Sequence, residues 1–461
     1  MLSGRRWNHP QFYQNRVLDH YLSQPVKKIT LRQLVVFGRH VTEERLLLSA
    51  NYIRSELPVR LARRIRDFQH LPFIVGTNPY LEQVYDLYWE AFEFFRRLPP
   101  IDSLELNHRF TDQLREKLND HLVIIPKLAV GINECVDHMS PAAIDRFMNV
   151  VLRSRISRRT LAEQHIALTN HYELVNGFDS PFATDYDSER SNTLSPESSP
   201  AVGIVHTDCN ALNIVERCGA QCRSVFRMVY RTRHTPEVLV DGAFSARFTY
   251  IPDHIEYILY EIIKNAMRAV MERPTHHNLA RPSVKSDNQT ASAPPTNPYP
   301  PIHVTICEGP TTLVFRVSDQ GGGIPEHAWQ HIWAYGHGKR QQFSNFHQVS
   351  QMAAKVTDAI GRESPLLHFG IGLPMSRVYA NYWGGRIEIH TMDEFGTDVY
   401  VHIPKLGNQH EQIEFAENNG HYEEDMGPES LLTPANGPRK FGTIQAAAPM
   451  VPGSATATAS N

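Results

Sequence analysis

Between His254 and Arg268 the chain reads HIEYILYEIIKNAMR, and on a helix Glu261, Lys264, Asn265 and Arg268 fall at i, i+3, i+4 and i+7, a single face. Ile258, Ile262, Ala266 and Ala269 line a neighbouring face that can be buried. An amide oxygen is a hard ligand suited to Mg2+, and a carboxylate one turn earlier can orient or deprotonate a hydroxyl. A solvated, salt-bridged face is the structural alternative for this stretch taken alone. Asp319-Gln320-Gly321-Gly322-Gly323 follows a strand-like run, Leu313 to Val317. There a carboxylate at a strand end can accept from an adenine amino group, and the glycines let the backbone turn close to a ligand. Gly370-Ile371-Gly372-Leu373-Pro374 opens a further helix, where free N–H groups and the helix dipole suit an anion. Gly396-Thr397-Asp398 closes a strand turn. Each of the four has a purely structural reading; all four in this order along one chain are hard to reach by chance.

The elements that must hold these residues divide at about residue 178. From Leu31 to Leu174 the apolar spacing is helical: Leu46, Leu47, Ala50 and Ile53 within Val41 to Glu56, and Leu81, Val84, Tyr85, Tyr88, Trp89, Phe92 and Phe95 after Asn78-Pro79. Phe110 to Ala129 and Pro141 to Thr169 continue the pattern, and short Pro- or Asn-bearing turns make 31–178 an antiparallel four-helix bundle. Residues 179–204 form a polar linker. Beyond it, strands are expected at Val238–Val240, Ala246–Ile251, His303–Cys307, Leu313–Val317, Arg386–His390 and Asp398–Ile403, with helices at Arg217–Arg233, Asp253–Glu272 and Pro374–Tyr382. The fold class is α+β, with helices packed on one face of a largely antiparallel sheet. Residues 274–301 read as a disordered insertion, 341–365 as a mobile loop and 407–461 as a disordered tail.

Composition narrows the function classes. With 46 Lys+Arg against 49 Asp+Glu the net charge is -3, which argues against non-specific nucleic-acid binding. No apolar run approaches the roughly 20 residues of a membrane span. Cys135, Cys209, Cys218, Cys222 and Cys307 fit free thiols in a reducing compartment; Cys218 and Cys222 lack the second pair that a zinc site needs. Arg5, Arg6 and Arg16 precede the first acid, Asp19, the composition of a mitochondrial transit segment over 1–30.

The acid-Asn helix, DxGGG, GxGLP and GTD order resembles the N, G1 and G2 boxes of the GHKL ATPases over residues 205–406. The resemblance implies a Bergerat-type α/β sandwich. In it Asn265 coordinates Mg2+ and Asp319 recognises adenine. Glu261, Arg268, Gly321, Gly323, Gly370, Ile371, Gly372, Leu373 and Thr397 complete the ATP site. Ser55 to Ala62 (SELPVRLA) and Arg155 to His165 (RISRRTLAEQH) resemble mitochondrial 2-oxoacid dehydrogenase kinases. Leu71 to Pro79 (LPFIVGTNP) and Tyr257 look closer to the branched-chain subtype than to the pyruvate subtype. The implied function is a matrix protein-serine kinase that inactivates the dehydrogenase component of its complex with ATP, Mg2+ and K+. It would be a homodimer docked on a lipoyl-bearing acyltransferase core, with Glu261 as base and Lys264 offsetting charge. An ATP-binding pseudokinase scaffold, or a sensor histidine kinase accepting on His165, are the rival classes. The chain departs from the family at His368, where a further Gly is usual, and at Tyr335 to Lys339, where a Thr-containing segment is usual.

Overall fold

Thr42 caps the first long helix by accepting from the Arg45 N–H at 3.3 Å, and Glu43 and Glu44 stand in its first turn, where the helix dipole favours acids. The computed structural model describes residues 11–176, 201–273, 297–335 and 370–413. In it the N-terminal half is helical: α1 (Gln11–Leu22), α2 (Leu31–Gly38), α3 (Glu43–Gln69), α4 (Pro79–Arg97), α5 (Leu104–Asp120), α6 (Ile124–Glu134) and α7 (Pro141–Val175). α3 carries Pro58 inside and runs past Glu56, the end expected from its spacing, to Gln69. Burial of Leu57, Leu61, Ala62, Ile65 and Phe68 holds the extra turns. The helix expected over Phe110 to Ala129 is broken by a 3-10 turn at His121–Val123. Pro126 stands in the first turn of the helix that follows, where its missing N–H has no intrahelical partner to lose. Leu18 of α1 is fully buried and Asp19 pairs with Arg66, so α1 packs onto the bundle.

The second half alternates strands and helices: β1 (Ala201–Val202), β2 (Val205–Asn210), α8 (Ala211–Val229), β3 (Val238–Gly242), β4 (Arg247–Tyr250), α9 (Pro252–Glu272), β5 (Ile302–Glu308), β6 (Thr312–Ser318), α10 (Gly372–Tyr382), β7 (Arg386–Met392) and β8 (Gly396–Pro404). The strands make two sheets rather than one. β3-β5-β6-β8-β7 form a five-stranded sheet, antiparallel except for the β3–β5 pair, while β4 joins β1 and β2 in a separate antiparallel sheet. Alternate residues of β6 and β8 (Leu313, Phe315 and Val317; Val399, Val401 and Ile403) are buried, so helices cover one face. α9 packs between α8 and α10, and α10 also meets α7 of the bundle.

The strand onset at Ala201 lies inside the stretch read as linker. Gly407 to Ile413, read as the start of a disordered tail, docks on the bundle: the Arg32 N–H donates to Gly407 O at 2.9 Å and the Glu411 N–H to Ile29 O at 2.8 Å. Most of the insertion (274–296), the loop 341–365, the segment holding Gly338 and His368, most of the linker and the tail from 414 onward lie outside the described residues. Among the described residues no helix is long and apolar enough to cross a membrane.

Candidate active site

α9 buries Ile255, Ile258, Leu259, Ile262, Ile263, Ala266 and Met267. That fixes its rotation and leaves Glu261, Lys264, Asn265 and Arg268 on the half-buried side. Glu261 Oε1 lies 2.5 Å from Lys264 Nζ, with the two side chains 12% and 14% exposed. Its other oxygen faces α10: a Cβ added to Gly372 would lie 2.2 Å from Glu261 Oε2. The acid-Asn helix and the glycine turn, over a hundred residues apart in sequence, therefore meet at the Glu261 carboxylate. Tyr257, one turn before Glu261, packs against Tyr379 of α10 with ring centroids 4.9 Å apart and the planes tilted by 41°. Burial pushes its hydroxyl well above the ordinary tyrosine range, and the Glu261 charge adds to the rise. Arg268 is depressed by burial, against Glu272, Tyr230 and Glu261, which hold it up.

α10 begins at Gly372 after Gly370, whose φ of +66° is a left-handed conformation that favours glycine. Ile371 offers no side-chain cap, so the first-turn N–H groups keep no side-chain partner of that kind. Ser376 Oγ donates to Gly372 O at 2.9 Å and seals the turn from below. Leu373 is half-buried beside it.

Asp319 ends β6 and is buried. Its Oδ1 accepts from the Gly321 N–H at 2.8 Å, and its own N–H donates to Thr397 O at 3.0 Å, extending the β6–β8 register that pairs Ser318 with Asp398. Burial raises its carboxyl to about 6, against the backbone of Gly321 and Thr397, which pulls it down. The glycines are required by closeness: a Cβ on Gly321 would lie 2.4 Å from Ala269 Cβ of α9, and one on Gly323 2.3 Å from Met392 O. Thr397 is buried, with its hydroxyl 3.4 Å from that of Thr391.

All the residues singled out from the sequence thus fall on three contiguous pieces, α9, the Asp319 turn against β7–β8, and the start of α10. Sequence reasoning missed Arg273, which clamps the Asp319 turn by donating to Gln320 O at 3.0 Å and Glu394 O at 2.6 Å. It also missed the link from Tyr335 to the bundle, where the Tyr335 N–H donates to Asp145 Oδ1 at 2.9 Å and its hydroxyl to Asn149 Oδ1 at 3.1 Å. No local pattern flags either, because both partners are remote in sequence.

The donor set suits a magnesium nucleotide. The Asn265 side chain makes no hydrogen bond among the described residues, α10 opens on first-turn N–H groups of the kind that suit an anion, and the glycines leave cradles that a Cβ would fill. Among the described residues no cluster of three His, Cys, Asp or Glu could hold a metal by itself. The cysteines are packing elements: Cys218 and Cys222 donate to Glu256 O and Tyr260 O, each at 3.6 Å, and burial pushes the Cys218 thiol to about 12. His165, the acceptor that a histidine kinase would need, is fully buried against Ser49 Oγ at 3.0 Å and depressed by burial to about 4.

Comparison with known proteins finds two family models. Residues 28–206 match the family model described as mitochondrial branched-chain alpha-ketoacid dehydrogenase kinase, and residues 250–407 match that of the histidine kinase-, DNA gyrase B- and HSP90-like ATPases. The mitochondrial [pyruvate dehydrogenase (acetyl-transferring)] kinase of Arabidopsis thaliana is 30% identical over 84% of this chain and 92% of its own. Kinase 2 of the same description from Saccharomyces cerevisiae is 26% identical, covering 88% and 87%. Isozyme 4 from Homo sapiens is 27% identical, covering 86% and 85%.

Proposed function

Because the chain belongs to the mitochondrial 2-oxoacid dehydrogenase kinase family, and is therefore an ATP-dependent protein-serine kinase of the GHKL type, we propose that it phosphorylates and inactivates the dehydrogenase component of the branched-chain complex first and of the pyruvate complex next. The observation that carries the chemical part is the meeting of Glu261 with the first turn of α10. A serine hydroxyl approaching the terminal phosphate at that turn comes within reach of the Glu261 carboxylate, which takes its proton. Lys264 offsets the charge beside it. Transfer of this kind rests on positioning and charge neutralisation, with little covalent work for the protein. Asn265 would hold Mg2+, which when bound neutralises phosphate charge. Asp319 accepts from the adenine amino group, Gly321, Gly323 and Thr397 shape the base pocket, and Arg268 adds positive charge behind it. Gly370, Ile371, Gly372 and Leu373 receive the phosphates.

The branched-chain preference is supported by Leu71 to Pro79 and Tyr257, while the relatives named above are pyruvate dehydrogenase kinases. Comparing kcat/KM on the two purified dehydrogenase components, each with its acyltransferase core, tests the preference: a higher value for the pyruvate component overturns it. Docking on the lipoyl-bearing core is supported by a groove of about 960 Å³ with exposed Val36, Phe37 and Leu48 and a rim of Lys28, Arg32 and Arg45, suited to an apolar arm. A homodimer is supported by the half-exposed face of β6 and β8 opposite their buried residues. The matrix is the compartment of such a complex. Any cleaved leader would end before Leu18, which is already part of the core. Affinity for ATP in KCl against NaCl reads the K+ dependence.

One pH effect follows. The adenine amino group donates to the ionised Asp319 carboxylate, and that carboxyl titrates at about 6. ATP affinity should therefore fall as pH drops below 6, by up to about tenfold per pH unit. Asp319→Asn, whose amide oxygen accepts at every pH, should flatten the dependence. Measuring nucleotide affinity from pH 5 to 8 for both proteins isolates this group from the titration of the phosphates themselves. Equal slopes would remove Asp319 from the adenine contact.

A further inference from the structure

Arg60 of α3 and Glu411 form a bidentate pair out of contact with water. Nη2 lies 2.8 Å from Oε1 and Nη1 lies 3.0 Å from Oε2, with the side chains 1% and 0% exposed. Arg60 also donates to Lys27 O at 2.9 Å and to the Ser157 hydroxyl of α7. Glu411 also accepts from the Ile29 N–H at 3.1 Å and from the hydroxyl of Tyr382. Burial alone would lower the Arg60 guanidinium; the Glu411 carboxylate more than reverses this and raises it. The backbone reinforces the junction, with the Gln412 N–H donating to Tyr382 O at 2.9 Å.

As a source of stability such a pair is a poor choice, because desolvation of the two charges offsets most of their attraction and apolar residues of similar volume do as well or better. What apolar residues do not supply is direction. Here five segments converge on one pair: Lys27–Thr30, α3, α7, the end of α10 and Gly407–Ile413. Tyr382 is the last residue of α10, and Gly372, its first, lies ten residues away, about 15 Å along the axis. An angle fixed at Tyr382 is therefore transmitted by a stiff helix to the turn that meets Glu261.

We propose that the Arg60–Glu411 pair, acting through Tyr382, is a positioning device that sets the axis of α10 and thereby the placement of its first turn against the triphosphate and Glu261. The proposal rests on the assignment of that first turn to the phosphates.

The test uses the full chain. Glu411→Leu alone leaves the Arg60 charge buried and unpaired and should lower the unfolding midpoint. The double variant Arg60→Met with Glu411→Leu should restore the midpoint, yet KM for ATP should stay raised about tenfold with a smaller change in kcat. Tyr382→Phe removes a single hydroxyl from the junction; it should lower the midpoint through the loss of one hydrogen bond to a buried carboxylate and raise KM for ATP about threefold. A double variant that regains the parental KM together with its midpoint overturns the proposal, since the pair would then serve folding alone. Should the double variant not fold, an unchanged KM in Tyr382→Phe overturns it equally. Gly372→Asp separates the two readings: it places a negative charge in the phosphate turn and must abolish ATP binding. If it does not, the assignment of the turn to the phosphates is what fails.

Discussion

Glu261→Gln should slow phosphoryl transfer by about 10²–10⁴-fold, the range for loss of a general base, while leaving ATP affinity nearly unchanged. The substitution keeps the size and shape of the side chain. Its position between Lys264 Nζ, 2.5 Å from Oε1, and the first turn of α10 therefore stays occupied. What is lost is the capacity to accept the serine proton. The Lys264 ion pair is lost with it, but that pair lies on a half-buried helix face and α9 is held by its buried apolar residues rather than by the pair. Single-turnover transfer from labelled ATP-Mg gives the rate, and nucleotide binding measured separately gives the affinity. Normal transfer by this variant would mean that the base is another residue.

Gly372→Ala should lower kcat by about 10²-fold, the cost of displacing a reacting group by about 1 Å. The added methyl group would lie 2.2 Å from Glu261 Oε2, so the carboxylate must move away from the place where it meets the incoming hydroxyl. Gly372 does not occupy a left-handed conformation, and the atom its new methyl group meets is the far end of a flexible side chain, so the folded state should change little in stability. The first-turn N–H groups remain for the phosphates. A variant that is as stable as its parent, binds ATP and transfers poorly would place the defect at the Glu261–α10 contact. Unchanged kcat would show that Glu261 tolerates displacement and is not the base.

The candidate site was legible because each of its pieces is local. The Glu261, Lys264, Asn265 and Arg268 face needs only helical periodicity, and Asp319 with its glycines needs only a strand end and a turn that cannot admit a Cβ. Gly370 and Gly372 announce a helix start of the kind that suits an anion. The helical first half and the mixed second half were legible for the same reason, through runs of apolar residues at constant spacing. What escaped depends on contacts between distant residues. Nothing near Glu411 tells that it will pair with Arg60, so Gly407 to Ile413 read as a tail. The strand at Ala246 to Ile251 was recognised, but its partners, β1 and β2, form a second sheet that only tertiary pairing defines. The break at His121 was not legible either: Pro126 disfavours an unbroken helix, yet Pro58 sits inside α3 without ending it, so the residue type alone does not decide.

The most direct test of the central claim is transfer of labelled phosphate from ATP-Mg to a purified 2-oxoacid dehydrogenase component in the presence of its acyltransferase core. Acid-stable phosphate is expected on a serine of that component, accompanied by loss of dehydrogenase activity and abolished by Glu261→Gln. ATP binding without transfer to either the branched-chain or the pyruvate component would contradict that claim, and would make the chain a nucleotide-gated scaffold.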